Sequence, residues 1–289
     1  MSKITKFFDK IYDRHVHRIA AKSKKYYYED FVRVYPDGIV LNKYGRRKKT
    51  GEDDIKNFIN HSKFYKFVTQ FVKGKKIADI GCGSGYGCEI LKKAGAAQVH
   101  GSDLSEVSID FASKRYGEYA KFSVQGITDL SGYTDNMVDI SISSEVLEHV
   151  KEYGVEDDAL KELRRVTCDG GLIIIGTPNS ELLGNHGFSF KEIDALFKAN
   201  FAEFYIFENA LIPYADKKQL WQARLDKGET GIIITENINL TETVIPKDTI
   251  PEIKKGLQPG KHTMGELEID TSLLHNTHSW VVVARNSKH

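Results

Sequence analysis

The chain reads as an α/β fold, a parallel sheet of seven strands covered by helices on both faces. From Lys76 onward short β-branched runs alternate with helical patterns, which is how such a sheet is written in sequence. The 289 residues, 40% hydrophobic and 28% charged, can bury a core of that size. No apolar run approaches the roughly 18 residues of a membrane-spanning helix; Leu172 to Ile175 and Val281 to Ala284 are strand-sized.

Strands are expected at Lys76 to Ile80, Gln98 to Asp103, Lys121 to Val124, Val138 to Ser143, Gly171 to Thr177, Glu203 to Phe207 and Ser279 to Ala284. Between them, Glu156 to Val166 sets Ala159, Leu160, Leu163 and Val166 on one helical face and Asp158, Lys161, Glu162 and Arg165 on the other. Asp169, Gly170 and Gly171 are expected to form the turn into the fifth strand. Two regions fall outside the alternation. Residues 1–60 read as a basic, largely helical extension or lid, with tyrosines at 26, 27 and 28 and a helical stretch from Asp53 that runs on into the core as far as Phe71. Residues 209–278 read as a substrate-side insertion, far longer than a hairpin connection needs, with a strand-like run from Gly231 to Asn239. The core is then 61–208, and 279–289 supply the last strand and the C-terminus.

The formal net charge of +1 conceals an asymmetry: residues 1–76 hold 20 Lys and Arg against 8 Asp and Glu. Such a surplus prepares a surface for an anionic partner or for the acidic remainder of the chain. The run from Arg46 to Lys49, between Gly45 and Gly51, reads as a solvated loop. Cys82, Cys88 and Cys168 have no zinc-ligand spacing and suit reduced thiols. Met1 to Lys10 lacks the apolar stretch of a signal peptide, and a cytoplasmic location is expected.

The most informative stretch is Lys76-Ile77-Ala78-Asp79-Ile80-Gly81-Cys82-Gly83-Ser84-Gly85-Tyr86-Gly87, a strand that enters a glycine turn and opens a helix. Such a turn brings main-chain N–H groups close to a ligand at the carboxyl edge of the sheet. A dinucleotide site wants Gly or Ala where Tyr86 stands, and a phosphate loop wants a terminal Gly-Lys-Ser/Thr, which is missing. At the end of the next strand stands Asp103, placed to accept hydrogen bonds from the vicinal hydroxyls of a ribose. Its competing reading is a cap on the helix that follows.

Together with Asp139 to Val150 and the run Asp169-Gly170-Gly171-Leu172 leading to Gly176-Thr177-Pro178-Asn179, these motifs resemble class I S-adenosylmethionine-dependent methyltransferases, over about residues 60 to 208 and the last strand. The resemblance implies a Rossmann-like seven-stranded sheet, S-adenosyl-L-methionine as cofactor and S-adenosyl-L-homocysteine as product. It implies cofactor contacts at Asp79, Gly81, Gly83 and Gly85, at Asp103 with its neighbour Leu104, at Ser143 and Glu145, and around Gly126 and Ile127. Where that family often has an acid for the adenine amine, this chain has Gln125. A weaker likeness, in the helix before the Cys-Gly-x-Gly-Tyr-Gly turn, points to members that act on sugars and polysaccharide precursors.

Methyl transfer is an in-line displacement that needs alignment and the exclusion of water, and no metal is expected. A general base would assist a hydroxyl or a protonated amine. His186, in the loop after the fifth strand, is the candidate base, its competing reading a structural role in that glycine-flanked loop; His149 is expected to orient or pack. His262, His275 and His278 match no metal motif. The acceptor is expected to be a small molecule, anionic if the basic segment faces it. RNA or protein is the second choice, and a silent cofactor-binding protein the third. The segment after the fourth strand is not the Asn/Asp-Pro-Pro-Tyr/Phe of DNA base methylation, and no cysteine follows a proline as in cytosine-carbon enzymes.

Overall fold

The computed structural model describes residues 26–28, 39–41, 47–49, 61–62, 64–180, 186–210 and 277–288. Ten strands lie within them: β1 (Tyr26–Tyr28), β2 (Ile39–Leu41), β3 (Arg47–Lys49), β4 (Lys76–Ile80), β5 (Gln98–Asp103), β6 (Lys121–Val124), β7 (Val138–Ser144), β8 (Thr167–Pro178), β9 (Phe204–Ala210) and β10 (Thr277–Arg285). Helical residues 61–62 and 64–68 lead into a 3-10 turn at Thr69–Phe71, and five further helices follow: α1 (Tyr86–Lys93), α2 (Glu106–Tyr116), α3 (Leu147–Lys151), α4 (Glu156–Val166) and α5 (Phe190–Asn200).

The main sheet has the order β6-β5-β4-β7-β8-β10-β9. Strands β4 to β8 pair in parallel, whereas β10 runs antiparallel between β8 and β9, with Val282 opposite Ile175 on one side and Ile206 on the other. The apolar runs Leu172–Ile175 and Val281–Ala284 fill central strands covered on both faces. Alternate residues serve opposite layers. Ile77, Ile142, Ile174 and Val283 pack with Phe64, Val68, Leu91 and Phe111. Ala78, Ile80, Ile175 and Val282 pack with Leu160, Leu163, Ile193 and Phe197 of α4 and α5. The chain crosses outward from β4 to β5 and β6, then returns to place β7 on the other side of β4. The strand order therefore reverses between β4 and β7, and a crevice opens there beyond the carboxyl ends.

The structure corrects two expectations. Asp169–Gly171 are not a turn but a bulge inside β8, whose register to β7 jumps from Val138–Thr167 to Ile140–Leu172. Gly170 absorbs the kink with φ +70°, and its N–H donates to the Asn286 carbonyl at 2.7 Å. Nine residues before 61 are described, all in strands: β1 pairs parallel with β2, and β2 antiparallel with β3. Within the basic run read as a loop, Arg47–Lys49 form β3, since β2 supplies the ladder. Residues 211–276, most of the expected insertion with its run at 231–239, and the segment 50–60 lie outside the described residues.

Candidate active site

The crevice is a cavity of about 710 Å³, bordered by the turn after β4, the ends of β5 and β6, the bend after β7, and His61, Tyr65 and His186. Backbone N–H groups of Gly81 and Cys82 both donate to the Ser102 carbonyl, at 2.7 and 2.9 Å, which clips the glycine turn to the end of β5. Asp103 completes the clip. Its Oδ2 accepts from the Gly83 N–H at 3.0 Å and its Oδ1 from the Ser105 N–H at 2.9 Å. The cap of α2 is Ser105, whose hydroxyl accepts from the Ser108 N–H at 3.2 Å. Asp103 thus stands at the cavity edge as an acceptor bridging two turns, with lone pairs left for a ligand.

On the other side of the crevice β7 ends in a bend. The Ser143 hydroxyl donates to the Ile80 carbonyl at 2.7 Å and ties β7 to β4. Glu145 then takes a left-handed conformation, φ +58°, with its N–H donating to the Gly176 carbonyl at 2.9 Å. A side chain other than glycine held there costs about 1 kcal/mol or more, and such strain gathers where a group must be aimed. Glu148, on α3, is buried, and its Oε2 accepts from the Thr177 hydroxyl at 2.9 Å. Burial raises the pKa of both carboxyls above the ordinary range, and the charge of Glu148 raises that of Glu145 further. Exposed His149 and His186 face each other with ring centroids 5.4 Å apart.

Of the residues expected from the sequence, Gly81, Gly83, Asp103, Leu104, Gly126, Ile127, Glu145, His149 and His186 border the cavity. Asp79, Gly85 and Ser143 do not. Asp79 is fully buried beneath the turn, 3.2 Å from the Tyr65 hydroxyl that donates to it and 3.3 Å from the Cys88 thiol. Burial lifts its pKa to about 7, although those two hydrogen bonds pull the other way. Gly85, at φ +84°, opens α1; a Cβ there would meet Ala112 at 2.8 Å and the Phe122 ring at 3.0 Å. Its bareness serves helix packing. Ser143 is a strap between strands. Sequence reasoning missed Tyr65, Ser105, Ser108 and Glu148 as cavity residues. Glu148 had a signal, a second carboxylate only three positions after Glu145 in the segment that follows β7. Tyr65 had none nearby, since its ring fills the space left by Gly87, where a Cβ would sit 2.1 Å away.

The lining chemistry tests which ligand fits. Asp103, Glu145 and Glu148 supply three carboxylates, and none of the described lining residues is Lys or Arg. That favours a cationic ligand and disfavours a pyrophosphate. At Gly83, φ +52°, a Cβ would point into open space, so the turn leaves room for a ligand against its backbone. A sulfonium bearing an amino-acid tail and a nucleoside fits both observations.

Residues 78–175 match the family model described as a methyltransferase domain. A probable S-adenosylmethionine-dependent methyltransferase of Mycolicibacterium smegmatis is 26% identical over 122 residues, 42% of this chain and 45% of that protein. A ubiquinone biosynthesis O-methyltransferase of Rhodopseudomonas palustris is 33% identical over 110 residues, 37% of this chain and 41% of that protein. The chain thus spans less than half the length of these curated relatives. Among solved structures, a TehB-like SAM-dependent methyltransferase from Corynebacterium glutamicum is 27% identical with a TM-score of 0.42, over 50% of this chain and 75% of that one. Residues 78–175, which carry the glycine turn, Asp103 and the bend at Glu145, match a methyltransferase domain and are similar there to relatives named as S-adenosylmethionine-dependent methyltransferases.

Proposed function

We propose that the protein transfers a methyl group from S-adenosylmethionine to an oxygen or nitrogen of a small molecule. The observation that carries this reading is the acidic lining, without Lys or Arg among its described residues, of a crevice at the reversal of strand order. When bound, the cofactor supplies a methyl carbon already activated by a sulfonium. The protein's own residues then have three tasks. The turn from Gly81 to Ser84 and Asp103 hold the amino-acid tail and the ribose, with Leu104, Gly126 and Ile127 at the nucleoside end. Glu145 and Glu148 face the positive charge. His149 and His186 stand at the acceptor end, where His186 takes the proton of an acceptor hydroxyl or amine and His149 orients the group that loses it.

The relatives named ubiquinone biosynthesis O-methyltransferases favour oxygen as the acceptor atom. A sugar, nucleotide-sugar or polysaccharide precursor rests on the weaker sequence likeness. An anionic form of it would find no Lys or Arg among the described residues of the lining and would have to be met by the basic segment before residue 77. Calorimetric titration with S-adenosylhomocysteine tests the cofactor assignment. Asp103→Ala is expected to weaken binding by about 1 to 3 kcal/mol, and Gly83→Val to abolish it by filling the space beside the turn. Unchanged affinity in both folded variants would refute the site.

A further inference from the structure

We infer that Glu148, His149 and His186 form a binding site for a divalent first-row transition cation at the acceptor end of the crevice. One ligand atom from each residue lies within 4.8 Å of those of the other two, the spacing of donors around a shared ion. The donors come from two separate places in the chain. Glu148 and His149 are neighbours on α3, and His186 arrives from the turn before α5, yet the two imidazoles end 5.4 Å apart between centroids.

A second observation points at a ligand. The side chain of Glu148 is only 1% exposed; its Oε2 is satisfied by Thr177, while the buried Oε1 accepts no hydrogen bond among the described residues. Burying a carboxylate oxygen without a partner is expensive. That oxygen lies 3.9 Å from Nε2 of His149, so an ion between them would meet both and relieve the unmet demand. Thr177 already orients the carboxylate from behind, the outer-shell support a metal-bound carboxylate ordinarily has. Glu145 borders the same cavity and places a further carboxyl beside the three donors.

Two imidazoles with one carboxylate suit zinc, cobalt, manganese or iron(II) better than magnesium or calcium, which prefer all-oxygen sites. Three protein donors leave coordination positions open, and all three residues line the crevice. With an ion in place His186 is a ligand, and an acceptor oxygen bound to the ion loses its proton more readily; without one, His186 keeps the role of base assigned above. Where the crevice leads rests on the proposed function, but the ion site itself does not.

The test is a titration of the chelator-treated full-length protein with cobalt(II), read by visible absorption and calorimetry, with no cofactor present. One saturable equivalent is expected, with affinity lowered tenfold or more in each of His149→Ala and His186→Ala, because losing a donor to the ion costs at least as much as losing a group that orients one. Both histidines are exposed, so these variants keep the fold, which melting temperature verifies. Glu148→Gln, isosteric and still able to accept from Thr177, should weaken the ion by a similar factor. Absence of a saturable cobalt spectrum, or affinity unaltered in both histidine variants, would overturn the site. S-adenosylhomocysteine affinity of the metal-free protein, measured in parallel, separates failure of the ion site from failure of the transferase reading.

Discussion

Asp79 occupies the middle of a sheet face otherwise built from Ile77, Ile142 and Ile174, and it sits there without a cation beside it among the described residues. The Tyr65 hydroxyl and the Cys88 thiol donate to it, but desolvation wins and its pKa reaches about 7, against 3.8 in the open chain. A folded-state value above the unfolded one means that the native protein holds a proton the unfolded chain releases. Its contribution to stability is fully present below pH 4 and fades as pH rises through 7, by at most ~4 kcal/mol. Urea denaturation at pH 5 and pH 8 should therefore show the native protein losing stability with rising pH. Asp79→Asn, which keeps the shape without the ionisation, should make that dependence shallower, leaving the part carried by Glu145 and Glu148. Equal slopes in the two proteins would show that the aspartate does not carry it. The sequence made this acid visible as the residue before the glycine turn, but not its neighbours. Tyr65 and Cys88 lie 14 and 9 positions away, and only packing brings them together.

Among the elements, the strands were the most legible. Each apolar run has the length of a strand and is bounded by polar or glycine-bearing turns, and β4, β5 and β6 lie where those runs begin and end. What could not be read was the bulge in β8. A pair such as Gly170-Gly171 specifies permissive backbone without specifying a turn, and the decision belongs to Asn286, which is 116 residues distant from Gly170 and joins it by a hydrogen bond from the Gly170 N–H. The glycine turn divides in the same way. Its existence was evident, yet which glycine faces the ligand depends on what α2 and β6 bring behind it. Gly85→Ala should destabilise the protein by roughly 1 to 3 kcal/mol through its left-handed φ and the clash with Ala112 and Phe122. Cofactor affinity of the folded fraction should change little, because Gly85 does not border the crevice. Chemical denaturation combined with calorimetry checks both. A loss of affinity with unaltered stability would return Gly85 to the list of cofactor contacts.

At the scale of the whole molecule, charge is segregated. The first 76 residues carry a surplus of lysine and arginine, and the remaining chain is acidic, most tellingly in the crevice, where three carboxylates face no described Lys or Arg. A polyanion attracted by the basic segment would be repelled from the place where a methyl group is offered. That opposition separates binding from catalysis. If the basic segment binds RNA, the affinity should collapse between 50 and 200 mM salt, by roughly a thousandfold for six phosphate contacts. RNA incubated with methyl-labelled cofactor and the protein should stay unlabelled at either salt concentration. A small acceptor should instead be methylated at a rate that changes little over the same range, because its approach does not depend on released counterions. Label appearing in RNA at 50 mM and vanishing at 200 mM would reverse the assignment: the basic segment would then lead the substrate into the crevice, and the lining's negative charge would be met by the cofactor alone.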